Sequence, residues 1–449
     1  MTRAVLDENA TRAFAERLRV ANTEFGRLYP GEREERQPVH TVYIAADTFG
    51  EGTTRELGAT ALRALHDYAP TAGELSRAFD LPEGIAEAVR TRVMSKLGRE
   101  PVEDLRLDFE DGYGVRPDAE EDAHAVAAAE AIARAAAQSK LPPFIGIRVK
   151  PLNEDVRVRS FRTIDIFLSA LVAKTGRTIP SGFLVTLAKV TIPEQVAVMA
   201  ELLEMLESKH DLARGALKLE IMIEVAQAVL GTDGRTSVRE LVFAGRGRCV
   251  AAHLGTYDYT ASCNVTAAHQ RMAHPACDFA KQVMQVSLAG TGVFVSDGST
   301  NVLPVGPHLH EASTPALDAA MARENREAVH RAWRLHASDV RRSLEQGFYQ
   351  GWDLHPAQLV SRYVALYTFF LEALERASSR MRSFVARVTH ASADAGVADD
   401  AATGQALLNF FLRGMSCGAI TDDEARATGL TLEEIRGRSF AKVLQGRRR

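Results

Sequence analysis

Eight short apolar runs, each followed by a helical stretch, limit what this chain can fold into more than any other feature. They are TVYIAAD (41–47), DLRLDFED (104–111), FIGIRVK (144–150), GFLVTLAKV (182–190), LKLEIMIE (217–224), CVAAHLG (249–255), GVFVSDG (292–298) and the weaker GFYQGWDLHP (347–356). Most recur at intervals of about 30–40 residues, the length of a strand–helix unit in a parallel sheet. Runs apolar on both faces belong to strands covered by helices. The first interval is longer and holds two extra helical patterns, near 53–68 and 82–98.

The stretches between the runs read as helices. Residues 118–138 are Ala-rich, with their acids at the N-terminal end, where the helix dipole favours them. The segment TIPEQVAVMAELLEMLESKH carries a predicted capping box from Thr191 to Glu194, with Pro193 in its first turn. After Pro356 the pattern changes to one long predicted helix (361–389), a Gly/Ala/Asp linker (391–404) and a capped helix starting at Thr431. The expected architecture is an α/β, (β/α)₈ TIM barrel over residues 1–360 with a helical C-terminal extension over 361–449. A doubly wound sheet is the alternative, but the nearest glycine motif, GRGRCV (245–250), has the wrong spacing for a dinucleotide and runs into a strand.

Composition narrows the function classes. The 449 residues are 46% hydrophobic and 25% charged, with a formal net charge of −4. That balance favours neither nucleic acid nor a membrane surface as partner. Four cysteines without a CxxC pair argue against a disulfide scaffold or a cysteine-held zinc. The charged N-terminus has no apolar h-region, and no run reaches the ~20 apolar residues of a membrane span. A cytoplasmic location is expected.

In a barrel, chemistry sits at the carboxyl ends of the strands. The runs end in Asp47; Asp108, Glu110 and Asp111; Arg148 and Lys150; Lys189; Glu224; Asp258; Asp297; and Asp353 with His355. Such charges are costly unless paired or metal-bound, so together they imply a polar basin. Acids outnumber bases there, and clustered carboxylates call for a cation. Oxygen ligands suit Mg²⁺ (or Mn²⁺), and Glu224 and Asp258, from successive units, are the expected ligand pair. Asp108 and Glu110 share a strand face and are placed to hold metal-bound water. Arg148 is a clamp for a carboxylate or a developing enolate oxygen.

These positions resemble the HpcH/HpaI aldolase, or citrate lyase β-subunit-like, family of the phosphoenolpyruvate/pyruvate barrel superfamily. LDFEDGYG (107–114), IRVKP (147–151), LAKVTIPEQV (187–196), MIEVAQAV (222–229), HLGTYDYT (253–260) and WDLHPAQL (352–359) resemble its motifs in order, over roughly residues 40–360. Lys150, Ala188 and Tyr257 depart from the family pattern and mark a divergent, larger subgroup. The resemblance implies a Mg²⁺-dependent carbon–carbon lyase acting on a small carboxylic acid or its CoA thioester. Glu224 and Asp258 would be its ligands and Arg148 its enolate stabiliser. Lys189, Asp108 and Glu110, from their places at the strand ends, are the other expected catalytic residues. A malate-synthase-like condensation of an acyl-CoA with a 2-oxo acid and a metal-free binding barrel are the alternatives.

A homo-oligomer is expected, with the 361–389 helix as packing or subunit contact. Several residues carry two readings. Asp258 is a ligand or a helix N-cap. His253 is a substrate contact or a core residue. His355 is catalytic or locks a turn. His308 and His310 form a loop or a metal pair. SDGSTN (296–301) is a substrate cradle or a turn. The general base is sought among Asp422, Asp423, Asp47 and Lys189, with Thr421 to Glu424 also fitting a capping box.

Overall fold

A computed structural model describes residues 7–33, 35–308, 318–390 and 401–447; His310 lies outside them. Eight strands run in parallel: β1 (His40–Ala45), β2 (Asp104–Asp108), β3 (Phe144–Val149), β4 (Phe183–Leu187), β5 (Lys218–Ile223), β6 (Cys249–Leu254), β7 (Phe294–Ser296) and β8 (Gly351–Asp353). Seven fall within the apolar runs, and β1 starts one residue before the first of them. The sheet order is β7-β6-β5-β4-β3-β2-β1-β8. The ring closes through the residues after β7. Trp352 N–H donates to Gly298 O, Asp297 N–H donates to Gln350 O, and Ser299 pairs with Trp352. The chain is a TIM barrel.

Helices alternate with the strands. The extra pieces of the first interval are Thr53–Tyr68, Ala72–Phe79 and Ala86–Arg99. The Pro193–Lys209 helix is capped differently from expectation. Gln195, not Glu194, reaches back, its Oε1 accepting from Thr191 N–H at 2.8 Å. Pro193 at the first helical position shifts the cap by one residue. The capping boxes at Thr421 and Thr431 form as the spacing predicts. The helix after β8, Gln358–His390, buries Leu359, Val360, Tyr363, Val364, Leu366 and Tyr367. Tyr363 donates to Pro101 O, tying this helix to the barrel wall. The Ala401–Ser416 helix packs on it, and Arg92 reaches from the wall to Glu424.

The barrel interior is layered. At its lower level the inward side chains are charged and fully buried. Arg106 donates to Glu220 at 3.0 Å and to Thr186 at 3.0 Å, and pairs with Asp104. Gly146 lies beside Arg106 in the ladder, and a Cβ there would stand 1.9 Å from Leu184 O. Thr41 donates to Asp104, and His253 Nε2 lies 3.0 Å from Glu220, off the line of a good hydrogen bond. Burial would raise the Glu220 carboxyl, but Arg106 and His253 hold it well below its ordinary range. Above this layer Ala188, Met222, Trp352 and Tyr43 form an apolar floor. Among the described residues no helix is long and apolar enough to cross a membrane.

Among the described residues Arg106 is the only guanidinium that pairs with Asp104 and Glu220. Replacing it by Met leaves Asp104 and Glu220 buried without it, at a cost of about 3–5 kcal/mol. Thermal and urea denaturation of Arg106→Met should show a marked loss of stability; an unchanged transition would contradict this account of the core.

Candidate active site

β2 and β3 deliver the most rigid element above the floor. Asp108 and Arg148 are ladder partners at the ends of these strands. Arg148 donates to both Asp108 oxygens, at 2.7 and 2.6 Å. The same carboxylate accepts Glu110 N–H at 2.9 Å and Gly112 N–H at 2.7 Å, which folds the loop after β2 over the strand end. The guanidinium lies 4.7 Å above the Tyr43 ring, a cation–π contact. Its Nη1 has only weak contacts, Glu110 at 3.5 Å and Met222 Sδ at 3.9 Å, and so is the least engaged of its nitrogens. Burial opposes the charge, yet Asp108 holds Arg148 firmly protonated.

Lys189, just past β4, adopts a left-handed backbone with φ of 49°. A non-glycine residue held there stores strain, as residues at functional sites often do. Its N–H donates to Glu224 Oε2 at 2.8 Å. Its ammonium reaches Glu110 at 2.5 Å and Asp111 at 2.7 Å, and stands 3.9 Å from Asp258. Burial works against that charge, but Asp111 and Glu110 hold it above the ordinary lysine range.

Glu224 follows β5 and is 1% exposed. Gly255 leaves it room: a Cβ there would fall 2.3 Å from Glu224 Cγ. Burial pushes the Glu224 carboxyl up to about 7, Arg148 opposes the shift, and Asp258 adds to it. Asp258 sits in the first turn of the Thr256–Ser262 helix, whose N-cap is Gly255, so the N-cap reading of Asp258 is wrong. Its carboxyl is also raised, by burial first, with Lys189 opposing and Asp111 adding.

Seven of the strand-end charges therefore converge: Asp108, Glu110, Asp111, Arg148, Lys189, Glu224 and Asp258. The others do not. Lys150 turns to Glu121 of the Asp118–Ala137 helix at 2.6 Å and to Phe109 O. Asp297 is buried against Lys281 and Ser343. Asp353 lies between strand and helices, bound by Arg362 and His40. Asp47 pairs with Arg116. His253 is a core residue beneath the floor, accepting from Trp352 Nε1–H. His355 Nδ1 accepts from Ala357 N–H, which locks the turn after β8. His308 pairs with Glu324. Tyr257 accepts Asn301 N–H and donates to Ser299 O, fastening the SDGSTN segment. Asp422 and Asp423 contact Arg436 and Arg426 at the surface. Asp111, expected as one of the strand-end charges, joins through Lys189, and one residue that sequence reasoning left out, Tyr43, joins under Arg148. Tyr43 alternates with Thr41 along β1, and that period-two spacing was the signal for an inward side chain.

The donor set suits a hard divalent ion. Five carboxylates face two cations, and three of the acids, Glu110, Glu224 and Asp258, carry carboxyls raised chiefly by burial, which a further positive charge would relieve. Among the described residues no three His, Cys, Asp or Glu side chains are grouped as a ready metal cage. What fits is a two-carboxylate site completed by water or substrate oxygens. A cleft of about 730 Å³ lies beside the Thr53–Tyr68 helix, and one of about 720 Å³ at the opposite end of the barrel is lined by Asp104, Lys218 and Glu220 among others.

A family model described as a domain of unknown function, DUF6986, matches residues 18–443. The chain belongs to that family. No curated protein sequence matches it. Among solved structures, a citrate lyase from Burkholderia xenovorans LB400 superposes with a TM-score of 0.54 at 16% identity, covering 88% of this chain and 99% of that one. The Haloferax volcanii malate synthase gives a TM-score of 0.47 at 14% identity, over 91% and 99%. At such identities the likeness to the citrate lyase is one of fold, and it agrees with the barrel assembled above.

If Lys189 is the cation that steadies these acids, Lys189→Met should raise the Asp258 and Glu110 carboxyl pKa values further. Carbon-detected NMR titration of the metal-free protein reads this directly; values that stay or fall would refute the assignment.

Proposed function

We propose that the chain is a Mg²⁺-dependent (or Mn²⁺-dependent) carbon–carbon lyase of the aldolase type, acting on a hydroxy acid or its CoA thioester through an enolate. The observation that carries this reading is the buried Glu224 carboxyl, raised to about 7 beside Asp258 and within the field of a guanidinium that Asp108 holds rigid. Glu224 and Asp258 would hold the ion. When bound, it would draw negative charge onto the oxygens of a chelating acid and lower the energy of the enolate.

The protein's own groups do the rest. Arg148 would offer Nη1 to the developing enolate oxygen, and its hold on Asp108 keeps that donor preorganised. Asp108 orients Arg148 and pins the loop that carries Glu110. Lys189, kept protonated by Asp111 and Glu110, presents an ammonium to a substrate carboxylate or oxyanion. In the cleavage direction a base takes the hydroxyl proton, the resulting alkoxide becomes a carbonyl as the carbon–carbon bond breaks, and that bond's electron pair becomes the enolate. Protonation of that carbon then yields the released acid.

Calorimetry should find Mg²⁺ or Mn²⁺ binding to the wild type, with affinity at least about tenfold weaker in Glu224→Gln and in Asp258→Asn. Because the Glu224 carboxyl is raised, a proton competes with the ion below pH 7. Affinity should therefore climb from pH 6 to 8, with proton release that fades above pH 7. Absence of binding would favour the metal-free barrel.

Enolisation is read by the exchange of pyruvate methyl protons in D₂O with Mg²⁺. Arg148→Lys loses the fork and should slow this exchange by about 10²–10³-fold. An equal rate in the variant would remove Arg148 from the chemistry.

A further inference from the structure

The N-terminal helix, Glu8–Leu28, makes little use of its apolar face within one chain. Every side chain from Thr11 to Arg27 is exposed, with Phe14 at 54%, Leu18 at 58% and Phe25 at 62%. Its C-terminal end is anchored. Gly31 N–H donates to Gly290 O at 2.9 Å, and the Arg239 guanidinium lies 4.9 Å over the Tyr29 ring. A helix of this length draws most of its stability in water from packing an apolar face. Thr11, Phe14, Leu18, Ala21, Phe25 and Leu28 follow one another at alternating steps of three and four, the spacing of a coiled-coil seam.

We infer that this helix pairs antiparallel with the same helix of a second copy of the chain. The occupant is argued from self-complementarity. With the two-fold axis between Arg19 and Val20, Leu18 faces Ala21 of the second copy, a large residue against a small one. Phe14 then faces Phe25, and Thr11 faces Leu28. The flanking charges match in the same register. Arg17 and Glu24 both flank the seam at the same heptad position, so each Arg17 meets the Glu24 of the other helix, twice by symmetry. Within one chain Glu24 is engaged only by the exposed Arg27, at 2.8 Å, a pair weak enough to be shared. The helix is a dimerisation arm, and the Tyr29–Arg239 contact is its hinge to the barrel.

Light scattering coupled to gel filtration of the full chain, at tens of micromolar, tests this. The wild type should elute at a multiple of the monomer mass, and Leu18→Glu should halve that mass while the circular dichroism melt of the barrel is kept. Arg17→Glu should weaken association roughly three- to thirty-fold, the effect of two symmetric exposed ion pairs. Arg17→Glu combined with Glu24→Arg should restore it. A monomeric wild type, a mass unchanged by Leu18→Glu, or a double exchange no better than the single one would each overturn the proposal.

Discussion

Mutual repulsion among carboxylates at one end of the barrel is the constraint on which the rest of the structure depends. Strand ends bring Asp108, Glu110, Glu224 and Asp258 together, and the loop after β2 adds Asp111. Only Arg148 and Lys189 answer them directly. The strained backbone of Lys189, the two-oxygen grip of Asp108 on Arg148 and the space left at Gly255 all follow from holding these charges close. Glu224 shows what is left uncompensated: a fully buried acid whose proton is held to about pH 7. A site built this way favours added positive charge, which is the basis for proposing a divalent ion there.

The lower barrel solves a similar problem differently. There Arg106 balances Asp104 and Glu220, with Thr186 donating to Glu220 and His253 lying beside it. The apolar floor of Ala188, Met222, Trp352 and Tyr43 separates the two charge systems. Arg106 pairs directly with both lower carboxylates, although burial still raises that of Asp104. Among the described residues Glu224 in the basin above has no such ion pair and accepts the Lys189 N–H.

Much of this was legible in the sequence. Apolar runs bounded by polar residues marked all eight strands, because strands covered on both faces carry little else. Glu224, Asp258, Arg148, Asp108, Glu110 and Lys189 were found by asking what a strand end must do with a charge, and the fold brings them to one place. The failures have a common physical cause. Facing alternates along a strand, so a shift of one residue sends a charge to the helix layer instead of the basin. Asp353 follows the inward Trp352 and points outward, to Arg362 and His40. Asp297 and Lys150 found partners on distant helices, Lys281 and Glu121, which local sequence does not announce. His253 was ambiguous for the same reason, since its level in the barrel depends on register with β5 and β8. The cap at Gln195 was missed by one position because Pro193 displaced the helix start.

The central claim is that Glu224 and Asp258 form a divalent-cation site next to Arg148. Crystals grown with Mn²⁺ and measured near its absorption edge test it most directly. The account predicts an anomalous peak within about 2.0–2.3 Å of a carboxylate oxygen from each residue, its remaining positions filled by water or a soaked 2-oxo acid that also meets Arg148 Nη1. No peak there, with the Lys189 ammonium still seated among Glu110, Asp111 and Asp258, would contradict it.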